Sequence, residues 1–271
     1  MDDTHQSSPR ADSLGTFLVL VFALSLPFYL LGSAGGRLSI ATFLPVSALM
    51  AFVPMVAALL LVIRQNGVAG VRELLGNALG FRWNSKPRWV LLALLLMPCV
   101  AILQYGALGL SGATPPEPQF VSIAAALAFF MIFLVGAIGE EVGWQGYAYP
   151  ALRRKWSALS SSLILGAIWA LWHVIPYAQL GRSADWILWQ GLGTIALRII
   201  MVWLFVNAGE SIALVVVFHA TINLPWGLIE NYQALYDPLL SLLLLAIVAG
   251  SVVALWGPST LGQFRYARRL G

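Results

Sequence analysis

The sequence predicts an all-α, polytopic membrane protein with about eight transmembrane helices, and three observations carry that prediction. Of 271 residues, 60% are apolar and only 10% charged, where soluble domains run roughly 45–50% and about 25%. The mean hydropathy is +0.84, an excess that one protein interior cannot hide, so most of it must face lipid. Runs of apolar residues long enough to cross the hydrocarbon recur along the whole chain. Eleven Trp suit a protein with two membrane interfaces. Soluble enzymes, disordered chains and coiled coils are excluded. The single cysteine, Cys99, lies in an apolar run, so no disulfide framework or cysteine-based metal site is available.

The apolar runs fall at 14–32, 41–63, 89–110, 120–139, 158–177, 186–207, 210–229 and 238–257. Each is expected to cross as a helix, which satisfies its own backbone hydrogen bonds. Gly-Ser-Ala-Gly-Gly (32–36) follows the first run, as in a signal peptide, but the leading Asp2, Asp3 and Asp12 face only Arg10. A signal peptide begins cationic, so this run reads as a retained span. Pro27, Pro45, Pro54 and Pro98 sit inside runs as tolerated kinks. Between the second and third runs, Val71–Leu79 reads either as a short interfacial helix or as an ordinary basic loop. No soluble domain and no internal repeat is evident. The chain, 1–271, reads as a single transmembrane domain embedded in the bilayer.

Loop charges set the orientation. With the N-terminus inside, the cytoplasmic segments hold Arg10, Arg64, Arg72, Arg82, Lys86, Arg88, Arg153, Arg154, Lys155, Arg265, Arg268 and Arg269. That is 12 of the 15 basic residues, against Arg37 and Arg182 outside, with Arg198 inside a span. The split predicts eight spans with both termini cytoplasmic, in the plasma membrane of a prokaryote. The net charge of +4 is a consequence of that bias. With no basic stripe interleaved with aromatics, it gives no reason to expect a nucleic-acid partner.

Ionisable groups within lipid are costly and call for a partner or a function. Away from the loops these are Glu140, Glu141, His173, Arg198 and His219, joined by the amides Gln145 and Asn223. His5, in the polar tail, is set aside. Glu141 and Gln145, Trp169 and His173, and His219 and Asn223 are each spaced i,i+4, one turn apart on one helix face. From the turn around Trp156, Glu140 is 16 residues back and His173 is 17 forward. Both therefore climb roughly 24 Å from that turn if helix persists through 140–153. Gly143, Gly146 and Pro150 are where it could break.

A desolvated carboxylate beside imidazoles can hold a water and take its proton. A second imidazole and an amide can stabilise the oxyanion formed when water attacks a carbonyl. Glu140, His173 and His219 would also form a ligand set for Zn²⁺ with an open position, although their order is not HExxH. The structural alternatives are a Glu pair facing water at a helix end, a histidine bonded within the bundle, and Asn223 as a cross-helix glue.

These residues resemble the CPBP family, which comprises CAAX prenyl endopeptidases and bacteriocin-processing or self-immunity (Abi) proteins. Its EExxxR motif is matched by Glu140-Glu141-Val-Gly-Trp-Gln145, with Gln for Arg. FxxxH appears as Trp169-Ala-Leu-Trp-His173, with Trp for Phe, and HxxxN is intact as His219-Ala-Thr-Ile-Asn223. The resemblance implies an intramembrane endopeptidase with a core at about 120–230. It makes Glu140 the activator of water, His173 its assistant, and His219 and Asn223 the oxyanion site. The resemblance implies either a metalloprotease or a metal-free, glutamate-driven enzyme. Glu140 as general base without a firm metal is the reading preferred here. The resemblance also implies a peptide or membrane-protein substrate, including a prenylated C-terminal tail, cut near the cytoplasmic side.

Gln145 removes a cation one turn from Glu141, and an unpaired buried carboxylate is expensive. Arg198, 12 residues into the sixth run, is the expected replacement, as a partner of Glu141 or Glu140. The alternatives are that Arg198 snorkels, or that Gln145 marks a catalytically inactive scaffold or immunity protein on the same fold. A transporter with a carboxylate–histidine relay is less well matched, since no inverted repeat is present.

Overall fold

The computed structural model describes residues 13–33, 39–41, 44–80, 87–112 and 114–265, with backbone only for 39–41 and 44–47. His5 and the charges at Asp2, Asp3, Arg10, Asp12, Arg37, Arg82, Lys86, Arg268 and Arg269 lie outside the described residues.

The helices in chain order are α1 (Ser13–Ser33), α2 (Val53–Leu79), α3 (Pro87–Leu110), α4 (Ile123–Gly143) and α5 (Tyr149–Arg153). They continue with α6 (Ala158–Gln179), α7 (Ala184–Asn207), α8 (Ile212–Leu228), α9 (Tyr232–Leu235) and α10 (Pro238–Trp256). Seven helical segments are long and apolar enough to cross a membrane, and Ile212–Leu228 is a shorter apolar one. The fold is therefore an all-α, multi-pass membrane bundle. Two short antiparallel strands, β1 (Ser39–Ala41) and β2 (Leu44–Pro45), precede a 3₁₀ turn at Val46–Phe52.

Helix starts follow from capping chemistry. Ser122, Ser157, Ser211 and Asp237 each accept the backbone N–H three residues on, at 3.2, 3.1, 3.2 and 2.9 Å. Each such cap contributes about 1 kcal/mol to fixing where α4, α6, α8 and α10 begin.

Several expectations are corrected. Val71–Leu79 is helical rather than a loop, and it lies beyond a kink at Gly67 that divides α2 into two helical segments. Gly67 has φ +64°, a left-handed conformation that only glycine adopts without strain. Pro54 lies in the first turn of α2 and Pro45 in β2, while Pro27, Pro98, Pro176 and Pro225 lie inside helices. The glycines after Glu141 do not break the fourth span. A π-helical turn at Trp144–Ala148 carries it into α5, so helix runs from Ile123 to Arg153.

The core is built on α7 and α8. Residues 196–205 of α7 are all buried, whereas Val19, Leu30, Ile102 and Ile123 on α1, α3 and α4 are left exposed to lipid. α8 is only about 25 Å long at 1.5 Å per residue. Its burial among α2, α3, α4 and α7 means that it need not match the bilayer by itself.

The two ends of the bundle are tied differently. At one end the basic turn after α5 is clamped to the segment after α10. Ala158 N–H donates to Ser259 O at 2.9 Å, and the Asn207 amide donates to Leu261 O at 2.8 Å. At the other end the α3–α4 connection pairs with the segment after α8. Glu230 N–H donates to Gln119 O at 2.8 Å, and the Asn231 amide donates to Glu117 O at 2.9 Å.

Candidate active site

Two adjacent carboxylates near the end of α4 diverge because successive helix residues are about 100° apart. Glu141 points into the core and Glu140 towards a cavity. The helix carrying them sits close to α2 because Gly143 has no side chain. A Cβ there would lie 2.4 Å from the Pro54 carbonyl oxygen, so the approach excludes every larger residue. The π-helical turn begins immediately after, a distortion that recurs at functional sites.

Glu141 is fully buried and fully engaged. Arg198 of α7 donates from Nη1 to Oε2 at 2.7 Å and from Nη2 to Oε1 at 3.2 Å. His219 Nδ1 of α8 meets Oε1 at 2.9 Å. The Arg198 guanidinium also lies 4.3 Å above the Trp169 ring, a cation–π contact that is strong when desolvated. Arg198 and Glu141 are both 0% exposed, a burial tolerable only because geometry and hydrogen bonding are good.

Gln145 does not join this network. It is 0% exposed, and neither atom of its amide has a hydrogen-bond partner. It lines a different cavity, of about 220 Å³, between the ends of α2 and α7, with Asn77, Glu210 and Ser211. The shared face expected from the i,i+4 spacing is thus not used for pairing. Arg198 and His219 already occupy three of the roughly four lone-pair positions of Glu141.

Glu140 is 8% exposed and accepts a 2.7 Å hydrogen bond at Oε2 from the Trp169 indole N–H. One turn on, His173 Nδ1 lies 2.9 Å from Trp169 O. A carbonyl only accepts, so Nδ1 carries the proton and Nε2 of a neutral ring is left as an acceptor. Trp169 stands edge-on to both imidazoles, 5.6 Å from His173 and 5.2 Å from His219. Behind it, Trp172 Nε1 donates to Ser25 Oγ at 2.8 Å, and Tyr29 OH donates to Trp172 O at 2.9 Å, which anchors α6 to α1.

Glu140, Trp169, His173, His219 and Asn223 line one cavity of about 260 Å³. Glu141, Gln145 and Arg198 do not line it. Sequence reasoning missed the outer lining, which includes Tyr177, Arg182, Trp186, Gln190 and Tyr236. The only signal for these was a concentration of aromatics near helix ends. Tyr236 OH hydrogen-bonds Gln190 Oε1. Burial pushes the Tyr236 phenol up to about 12 and raises that of Tyr232, so both remain neutral donors at physiological pH. Among the described residues, no three His, Cys, Asp or Glu side chains are grouped closely enough to hold a metal ion. The set Glu140, His173 and His219 shares the cavity without forming such a group.

Part of the cavity's lining comes from the α6–α7 connection and from residues between Trp226 and Tyr236, at the end of the bundle opposite Arg153–Lys155. No residue lines both this cavity and the one holding Gln145.

Residues 122–225 match the family model described as type II CAAX prenyl endopeptidase Rce1-like. A curated relative, CAAX prenyl protease 2 of Methanococcus maripaludis, is 32% identical over 111 residues. That alignment covers 38% of this chain, and the chain spans 41% of the relative's length. All three paired motifs fall within the matched stretch.

Proposed function

We propose that the protein is an intramembrane endopeptidase, a reading supported by the match of residues 122–225 to the Rce1-like CAAX prenyl endopeptidase family model. In this reading Glu140 is the general base for an attacking water. The observation that carries it is the convergence of Glu140, His173, His219 and Asn223, from three helices, on one cavity. Pairing of Oε2 with the Trp169 indole orients the carboxylate and leaves Oε1 for the water. The acceptor Nε2 of His173 accepts a hydrogen bond from the second O–H of that water, which stays on the oxygen. As the water oxygen bonds to the peptide carbonyl carbon, its proton passes to Glu140 and the carbonyl oxygen becomes an oxyanion. The Asn223 amide and the His219 imidazole, oriented through Nδ1 by Glu141, form the site that stabilises that oxyanion. Glu140 then returns the proton to the departing amine nitrogen as the C–N bond breaks. Glu141 and Arg198 position His219 without touching substrate.

The substrate is a peptide segment of a membrane-associated protein. A second, apolar cavity of about 250 Å³ adjoins the first and shares Ala101 and Tyr232 with it. It supports a substrate bearing a lipid group, for which a prenylated tail is the class named by the relative. The charge bias of the connections supports both termini on the cytoplasmic face of a prokaryotic plasma membrane.

Cleavage of a peptide library by the purified protein tests the mechanism, with wild type, Glu140→Ala and chelator-treated samples compared. Product from wild type and none from Glu140→Ala is expected. Equal product from both would eliminate Glu140 as the base, and loss with chelator reversed by Zn²⁺ would assign the water to a metal.

A further inference from the structure

We infer that Arg182 is an anion subsite of the cavity lined by Glu140, where it binds a carboxylate of the peptide substrate. The inference rests on the endopeptidase reading for what enters the cavity. The subsite itself rests on what surrounds the guanidinium.

Among the described residues that line the cavity, Arg182 is the one Lys or Arg. No carboxylate of the described residues, Glu140 included, forms an ion pair with it. Its Nε–H is buried and has no hydrogen-bond partner, an uncommon state for a buried donor. What the chain supplies instead is aromatic. The Trp186 and Trp226 rings, which also line the cavity, lie 4.9 and 5.8 Å from Arg182 Cζ. A ring face attracts the cation but offers no oxygen to its fork of N–H donors. The guanidinium is thus held in place while its charge stays unpaired. A carboxylate matches that fork with two parallel hydrogen bonds, and it is the anionic group that an unmodified peptide carries.

The backbone fixes Arg182 relative to the proposed water site. His173 and Tyr177 stand one turn apart on α6 with their rings stacked at 5.5 Å, and Tyr177 meets Trp186 at 5.2 Å. After α6 the chain turns at Gly181, with φ +72°, and Arg182 N–H donates to Tyr177 O at 3.1 Å. His173, Tyr177, Trp186 and Arg182 all line the cavity, so an aromatic wall joins the imidazole to the guanidinium. At 1.5 Å per helix residue, His173 and Arg182 stand roughly 13 Å apart along that wall. An extended peptide covers this distance in a few residues. One substrate chain can therefore place a peptide bond at Glu140 and a carboxylate at Arg182. That carboxylate is either the C-terminus or an Asp or Glu side chain.

Binding of labelled peptides to the full-length protein in detergent tests the subsite. A random decapeptide pool without Asp or Glu is made with a free C-terminal carboxylate and, separately, with a C-terminal amide. A third pool is the amide form with Glu as its last residue. Fluorescence anisotropy in the cold gives an apparent Kd for each pool. Wild type should bind the free-carboxylate pool, the Glu-amide pool or both at least tenfold more tightly than the plain amide pool. Which of the two is preferred identifies the source of the carboxylate. Arg182→Gln should bring the ratio close to one. Arg182→Lys, which keeps the charge without the fork, should retain only part of it. Misfolding would weaken all pools together and leave the ratio intact. An undiminished ratio in either variant overturns the inference, as does equal binding of the three pools, or binding of none, by wild type. Carboxylate-selective binding with no pool cut would uphold the subsite and count against the protease reading. Cutting of all three pools at equal rates would do the reverse.

Discussion

Arg198, midway along α7, grips Glu141 of α4 through both terminal nitrogens, at 2.7 and 3.2 Å, with neither side chain reached by solvent. The cation that Gln145 lacks is thus supplied by another helix, 57 positions away in sequence. Through Oε1 the same carboxylate holds His219, so this ion pair also orients a residue of the cavity.

Removing Arg198 should be among the most damaging single changes. Arg198→Ala strands a buried carboxylate, an effect of about 3–5 kcal/mol. Thermal unfolding in detergent should show a large fall in Tm. Arg198→Lys keeps the charge but not the fork, and should fall between wild type and Arg198→Ala.

Trp169→Phe keeps an aromatic face over Arg198 and removes the donor to Glu140 Oε2. Glu140 then loses its fixed orientation, and kcat should fall roughly ten- to a hundredfold, as for a misplaced catalytic group. KM should change little, because the indole N–H is directed at Glu140. A large rise in KM with unchanged kcat would assign Trp169 to substrate binding instead.

Asn223→Ala should lower kcat by roughly 10²–10³, the usual effect of losing one oxyanion donor, with Tm nearly unchanged. Peptidase assays alongside melting curves separate that outcome from unfolding.

The α6–α7 contact tolerates no side chain at Gly166. A Cβ there would lie 2.9 Å from Ile195 Cα and 3.1 Å from Arg198 Cβ. Gly166→Ala should destabilise the protein by about 1–3 kcal/mol through overpacking and lower activity by displacing Arg198. Gly191→Ala, whose Cβ would meet only Ala170 Cβ at 3.6 Å, is the control and should leave both nearly unchanged.

Gln145→Met removes two buried amide atoms that lack partners while keeping the shape of the side chain. Stability should rise by about 1 kcal/mol, read as a higher Tm, and peptidase activity should persist because Gln145 does not line the cavity of Glu140 and His219.

Much of this protein is legible in one dimension. Hydropathy marked the eight apolar helices, since lipid demands long runs with internally satisfied backbones. The same scarcity of charge singled out Glu140, Glu141, His173, Arg198 and His219, because each needs a reason to sit in lipid. That Val71–Leu79 is a helical segment set off by a kink at Gly67 was less legible, because a glycine can end a helix or bend one. The persistence of helix through Gly143 and Gly146 was hidden too, since their small size serves packing against Pro54, Leu74 and Ile212.

What the sequence by itself determined is the solvent of this chain, the number of its apolar helices and the short set of polar residues they carry. Only the tertiary structure decided that Glu140 faces a cavity while Glu141 is locked to Arg198. It also decided that Gln145 lies apart from the cavity lined by Glu140 and His219. The reason is physical. Periodicity specifies the angle at which a side chain leaves its own helix, but the helix standing opposite is selected by packing the whole bundle.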